Sequence, residues 1–389
     1  MRTPQDTRNF WLLAVLGGVL TLAGLGAAHY MELHGHVVTG MDNQVVWGLP
    51  HVFAIFMIVA ASGVLNVASI GSVFGQPTYK PRAPLSGLLS VALLAGGLMV
   101  LMLDLGRPER VIVAATHYNF TSVFAWNVFL YSGMVAIVAL YLWTMFERRF
   151  NAWSRPAGIA ALVWRFVLTT GTGSIFAFLV ARQAYGSALL APLFIVLSFG
   201  WGLAVFLIVQ ATMYAWNART LDIAIQRRLA RLLGIFVAAS LFLVAVYHLT
   251  NGYFAKQQAF QAFILRDGGV FPLLFWGGYV IVGSLVPLVL LLHPRLGDAR
   301  ATLAASALIV LGAFAWLFVF IVGGQAFPLE IFPGWQVSSS FADGAIAHYV
   351  PAMPEWLLGI GGLSAAFLLT VIGVRVLDFM PQDDLAAGH

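Results

Sequence analysis

The sequence predicts an all-α integral membrane protein of about ten transmembrane helices, and three observations carry that reading. The 389-residue chain is 61% hydrophobic and 9% charged, against about 25% charged residues in a typical soluble domain. Its apolar residues fall in runs of about twenty, the length that crosses a bilayer as a helix. Those runs are continuous rather than alternating, which excludes a membrane β-barrel.

The runs cover about residues 10–29, 48–74, 84–103, 122–146, 160–181, 188–215, 230–252, 271–293, 300–324 and 355–377. The first is followed by AAHYMELHGH, without a small-residue cleavage site, so it reads as a retained helix ending near His29 and Tyr30. The second opens WGLPHVF, with His51 just after Pro50. The third ends in LMLDLGRPERVIV, where Asp104, Arg107, Glu109 and Arg110 follow about twenty nearly uncharged residues and Pro108 stops the helix. The fourth opens NFTSVFAWNVFLY, the seventh ends VYHLTNGY, and Pro272 and Pro287 lie in or near the eighth. Thr169, Thr170, Thr172 and Ser174 in the fifth read as hydroxyls bonded back to their own helix. The pairs Gly17–Gly18, Gly96–Gly97 and Gly361–Gly362 read as sites of close helix packing. No phosphate-binding glycine motif is present in the right context.

Alternating the connections between the two sides of a membrane divides the twenty Lys and Arg sharply. Arg107, Arg110, Arg182, Lys256 and Arg266 fall on one side and the other fifteen on the opposite one. The positive-inside rule then puts both termini in the cytoplasm, in a bacterial or archaeal inner membrane, and the connections 30–47, 104–121, 182–187, 253–270 and 325–354 outside. The net charge of +5 is accounted for by topology and is no sign of nucleic-acid binding. The last outer loop, with Phe332, Trp335, Tyr349 and Trp356, suits either docking of a partner or anchoring at the interface.

Cysteine is absent. That removes disulfides, thiolate-held iron–sulfur clusters, thiolate nucleophiles and c-type haem, so any redox step would use a quinone, a His-ligated haem or a partner subunit. Seven of the nine histidines, His51 and His248 among them, lie on or near the outer side. Polar groups at the outer helix ends include His29, Tyr30, His51, Asp104, Trp126, Asn127, Tyr131 and His248. Asn127 and Tyr131 share a helix face. Such a set suits a quinone head group, which needs a hydrogen-bonding group at each oxygen and exchanges two protons. His51 and Asp104 are the candidate proton-exchanging residues. Tyr131, Asn127, His29, Tyr30, Trp126 and His248 are candidate head-group partners. No metal site is expected. A haem b held by His51 and His248, or by His29 with either, is the competing reading. A transporter is a third, weakened because no charged pair accompanies the prolines of the eighth helix.

The stretches YKPRAPLSGLL (79–89), LDLGRPERV (103–111) and HYNFTSVFAWNVFLY (117–131) resemble the NrfD/PsrC family of membrane subunits of polysulfide-reductase-like complexes. Within it, WGLPHVFAIFMIVAASGVLNVASI (47–70) is most similar to the DsrP branch of sulfur metabolism, with the HybB-like branch second. The resemblance implies a single membrane domain over 1–389. It implies two packed four-helix bundles, an eight-helix core at about 10–293, and a C-terminal helix pair in 294–389. It further implies electron exchange between the quinone pool, menaquinone or ubiquinone, and a ferredoxin-like iron–sulfur subunit on the outer (periplasmic) face, without haem. Arg107 and Arg110 would then join the pocket to the docked partner, the alternative being ion pairs of Asp104 with Arg107 and Glu109 with Arg110. The chain departs from the family at Phe120, where Pro is frequent, and at Trp126–Asn127, where HybB-like members carry an acidic residue. That departure leaves no helix-4 carboxylate for proton pumping.

Overall fold

The computed structural model describes residues 4–216, 222–293, 298–329 and 344–377. Phe332, Trp335 and the C-terminal His389 lie outside the described residues. Among the described residues, ten helices are long and apolar enough to cross a membrane. They are α1 (Arg8–His34), α2 (Leu49–Ser72), α3 (Pro77–Leu103), α4 (Val123–Phe146), α5 (Arg148–Ala177), α6 (Leu190–Trp216), α7 (Ile223–Tyr253), α8 (Val270–Leu292), α9 (Ala299–Ala326) and α10 (Met353–Val376).

Several boundaries differ from the sequence reading by more than a turn, among them the start of α3, which extends back through a 3-10 turn at Pro77–Arg82. Helix α1 does not stop at His29 and Tyr30 but runs on to His34, because MELH contains no breaker before Gly35. Helix α5 starts earlier, through a 3-10 turn at Arg148–Trp153. Helix α7 begins at Ile223, where the Asp222 side chain accepts from the Ala224 and Ile225 amides, and its opening turns carry Arg227, Arg228 and Arg231.

Helices α2 to α5 pack together as one bundle and α6 to α9 as a second, joined mainly along α2, α5 and α6. Helix α2 is the centre and is buried over nearly all of its span, whereas most of α1 is not. The flanking pair is formed by the first and last helices, α1 and α10, and α10 also lies on α3 and α2. This differs from a pair made by the last two helices: α9 has its main neighbours, α8 and α6, in the second bundle. Small residues decide the partnership. A Cβ placed on Gly24 would lie 2.7 Å from the Gly361 Cα, so these helices cross with their backbones in contact. In a bilayer, where lipid is as apolar as leucine, such backbone approach is a main source of helix association.

Deep in the first bundle Arg165 sits midway along α5, buried, rather than at the inner surface. Its Nη1 donates to Ser62 O at 3.3 Å, and its guanidinium lies 5.3 and 5.8 Å from the Phe166 and Phe199 ring centroids. Thr169 and Thr172 bond back to Arg165 O and Leu168 O, as hydroxyls in helices commonly do.

The connections 35–48, 178–189 and 327–352 are tied to one another at one end of the molecule, here the site face. Arg182 donates to Gln325 O at 3.0 Å and to Gln44 O at 2.9 Å. Gln44 Nε2 donates to Ala326 O and Ala345 O. Backbone that would otherwise be short of partners near the bilayer surface is thus satisfied by neighbouring connections.

Candidate functional site

Two helix ends build the centre of the site. Pro50 takes an early position in α2, where its missing N–H costs nothing, and His51 follows it. Asp104 caps the C-terminus of α3, its amide donating to Val100 O at 3.0 Å. The two side chains meet: His51 Nδ1 lies 2.7 Å from Asp104 Oδ2, with side-chain exposures of 12% and 1%. The separation is within ion-pair range, with the ring N–H not aligned on the carboxylate as a hydrogen bond. Asp104 Oδ1 is buried and has no donor among the described residues. A buried carboxylate oxygen without a donor is uncommon and calls for a ligand or water. With Nδ1 facing the carboxylate, His51 Nε2 is the nitrogen left for a substrate.

Trp47 completes the centre. Its ring stacks on His51 at 5.8 Å and 23°, meets Phe176 edge-on at 5.7 Å and touches Phe124 at 6.2 Å. The indole therefore gathers α2, α4 and α5 around the imidazole. One turn deeper than Phe124, Asn127 is buried, donates from Nδ2 to Val123 O at 2.8 Å, and keeps an unpartnered Oδ1 facing Gly171. Tyr131 is buried another turn down and hydrogen-bonds to Thr172.

The other candidate residues have different surroundings. His29 is exposed and lines a cleft between α1 and the Leu103–Pro108 turn, with Leu25, Met31, Glu32, His36 and Gly106. Tyr30 is exposed and packs on His34 at 4.4 Å. Trp126 lies on the surface of α4, its indole N–H donating to Phe120 O at 2.6 Å. His248 belongs to the second bundle: Nδ1 is 2.7 Å from Gln261 Oε1, and the ring meets Phe275 edge-on at 4.7 Å. Arg107, Glu109 and Arg110 are exposed, and among the described residues none of them forms an ion pair; Asp104 pairs with His51 rather than with Arg107.

Sequence reading passed over Trp47, and it passed over Glu355 altogether. Glu355 is fully buried in the first turn of α10. Its Oε1 accepts from the Tyr349 hydroxyl, and its Oε2 accepts from the Gly40 and Ala352 amides at 2.8 and 2.7 Å. The Tyr349 oxygen accepts in turn from Leu49 N at 2.6 Å. Burial first, and the Glu355 carboxylate second, push the Tyr349 hydroxyl far above the usual phenol range, so it remains a protonated donor. Asp104 is close enough to act on the same hydroxyl electrostatically. The available signal for Glu355 was an acidic residue at the third position of a helix that opens Met-Pro after Pro351 and Ala352.

Fold and site together define a multi-pass, all-α integral membrane protein with a His–carboxylate pair buried where two spanning helices reach one face. A model of the polysulphide reductase NrfD family matches residues 37–329, the stretch that holds α2 to α9. The chain belongs to that family. It is 31% identical over 383 residues to the Hdr-like menaquinol oxidoreductase integral membrane subunit of Archaeoglobus fulgidus, covering 97% of this chain and 95% of that one. It is 29% identical to a putative dimethyl sulfoxide reductase membrane subunit of Halobacterium salinarum, over 92% and 89% of the two chains. Protein NrfD of Escherichia coli is 26% identical over 73% of this chain and 96% of its own.

Proposed function

We propose that this chain is the quinone-reactive membrane subunit of a multi-subunit oxidoreductase, passing two electrons between a quinol in the pocket and an iron–sulfur group on a partner docked at the site face. The observation that carries the reading is the buried His51–Asp104 pair, with one carboxylate oxygen unpartnered and the imidazole Nε2 free. In quinol oxidation a hydroxyl proton passes to His51 Nε2, and the Asp104 carboxylate stabilises the imidazolium that forms. Asn127 Oδ1 and the Tyr131 hydroxyl suit hydrogen bonds that orient the head group. The second proton leaves by the same imidazole after the first has gone on to solvent. Quinol thus becomes quinone plus two protons and two electrons. The electrons go to the partner, since this cysteine-free chain supplies no thiolate-held cluster. Quinone reduction is the same sequence reversed.

Menaquinone is the quinone of choice in this reading, from the name of the Archaeoglobus relative. The exposed His29, Tyr30 and Trp126 suit contacts with lipid or with a quinone tail on its way in. Arg107 and Arg110, unpaired and exposed on the site face, suit an acidic partner surface. The charge bias supports a site face outside the cytoplasmic membrane with both termini inside. The stretches quoted above support the finer assignment to a sulfur-metabolism complex of the DsrP kind. The test is quinol-linked electron transfer in the assembled complex. His51→Ala and Asp104→Asn should each lower turnover about a hundredfold or more, the size of a general-base contribution, with assembly retained. Unchanged turnover in both would remove the assignment.

A further inference from the structure

We propose that Tyr349 and Glu355, carried by the last helix and the segment before it, are positioning residues that hold the start of α2, and with it His51, in place for the chemistry at the His51–Asp104 pair. The inference rests on the quinone reading of that pair. It concerns residues outside the stretch matched by the family model, which ends at 329.

Helix α2 lacks a cap of its own. Its N-cap is Gly48, with no side chain to accept a hydrogen bond, and Pro50 has no N–H. The leading free donor is Leu49 N, one of the orphan amides every helix start carries. It is satisfied from 300 residues away, by the Tyr349 hydroxyl at 2.6 Å. That hydroxyl is fixed by donating its proton to Glu355 Oε1. The second Glu355 oxygen ties down Gly40, earlier in the same connection, from 315 residues away. The fit leaves no slack: a Cβ on Gly48 would lie 2.6 Å from both Glu355 Oε1 and the Tyr349 oxygen. His51 is two residues beyond the capped amide.

The residues just before Gly48 have a second clamp. Gln325 Oε1 accepts from Val46 N and Trp47 N at 3.1 and 3.0 Å, and its Nε2 donates to Trp47 O at 2.9 Å. Gln325 fixes the indole that stacks on His51, and Tyr349–Glu355 fixes the helix start that carries His51. A carboxyl with no exposed surface is a costly way to pack an apolar helix against its neighbours. One oxygen holds Gly40 as well as its own helix start at Ala352, and the other holds the Tyr349 hydroxyl that caps Leu49, which gives that cost a purpose.

The test uses the assembled complex in membranes, with Tyr349→Phe, Glu355→Gln, the double variant and His51→Ala. Tyr349→Phe removes the cap and leaves Glu355. Glu355→Gln keeps an acceptor for Gly40 and Ala352 and loses the one for the Tyr349 proton. Each single variant should lower kcat about tenfold or more, as small misplacements of reacting groups do, with little change in the quinol KM. The double variant should be no worse than the singles, because both break one unit. Hydrogen exchange followed by mass spectrometry should speed up in residues 40–52. Unchanged kcat and unchanged exchange in both singles, or fully additive losses, would overturn the proposal. If His51→Ala abolishes turnover while the clamp variants alter nothing, the quinone reading stands and this inference falls. If His51→Ala is silent while exchange in 40–52 rises in the clamp variants, the clamp stands as a structural device and the positioning role falls with the quinone reading.

Discussion

The two bundles each carry a histidine near a helix end, and they treat it in opposite ways. In the first bundle His51 faces a buried carboxylate, Asp104, whose second oxygen lacks a donor. In the second bundle His248 faces a neutral amide, Gln261, at the same 2.7 Å separation. A carboxylate partner stabilises the imidazolium, and an amide oxygen does so far less. The same side chain at a similar station therefore has a carboxylate partner in one bundle and a neutral amide partner in the other. Counting histidines on a face could not separate these roles; the partner does.

The largest expected effect breaks this contrast directly. His51→Ala and Asp104→Asn should cost about a hundredfold or more in quinol-linked turnover. His248→Ala should cost less than about threefold, on the order of one lost neutral hydrogen bond at a distance from the chemistry. Turnover of the three variants in one membrane preparation, normalised to assembled subunit, measures it. Equal losses at His51 and His248 would mean that both bundles touch the substrate. A haem b bridging the two histidines would be one cause, and the reduced-minus-oxidised absorption spectrum of the same samples would reveal it.

Much of this was legible in the sequence, and the reason is locality. A spanning helix is a contiguous apolar run, so ten were found with most ends within a turn or two. His51 and Asp104 stood out because polar groups at the ends of such runs are few. Their contact was not legible, since it joins two helices far apart in the chain. Which helices pair was also hidden. A lipid-facing residue and a core residue look alike here: Leu12, Val15, Leu16 and Val19 of α1 are exposed, while Val52, Ile55 and Val59 of α2 are buried. With no polar face to orient each helix, only backbone approaches such as Gly24 on Gly361 decide neighbours. Glu355 was missed for a related reason. At the edge of an apolar run an acidic residue looks like an interfacial cap, and its bonds to Gly40 and, through Tyr349, to Leu49 reach across 300 residues or more.

A middle-sized effect contrasts two glycines on the same footing. Gly48→Ala places a methyl 2.6 Å from two fixed oxygens, and overpacking of that kind costs about 1–3 kcal/mol. It should lower the melting temperature of the purified subunit and, if the clamp positions His51, lower turnover as well. Gly252, near the end of α7 in the second bundle, has open space where its Cβ would be. Gly252→Ala should be neutral or should stabilise by up to about 1 kcal/mol, the helix propensity difference. Thermal unfolding of both variants in one detergent checks the pair. A stabilised Gly48→Ala would mean that the Tyr349–Glu355 clamp yields easily.

The smallest effect contrasts two ion pairs. Arg266 and Asp267, in the connection between α7 and α8, form a two-pronged contact at 2.8 and 3.0 Å, but with side-chain exposures of 77% and 55%. The hydrogen bond from Arg266 holds the Asp267 carboxyl below its usual value. A depressed folded-state pKa contributes stability above the unfolded value of about 3.9, and that contribution is lost as the pH falls through the folded-state value. Water and salt screen so exposed a pair almost fully. Asp267→Asn should therefore leave the melting temperature at pH 7 within experimental error. Any difference from the parent should shrink further as the pH drops toward 3 and as salt is added. Asp104→Asn, which strips the charge from a buried partner of His51, should lower the melting temperature measurably in the same assay. The separations are alike in the two pairs and the burial is not, and burial sets the ranking. If Asp267→Asn destabilised as much as Asp104→Asn, the exposed contact would have to be covered in the working protein, and a partner subunit seated over α7 and α8 would be the first place to look.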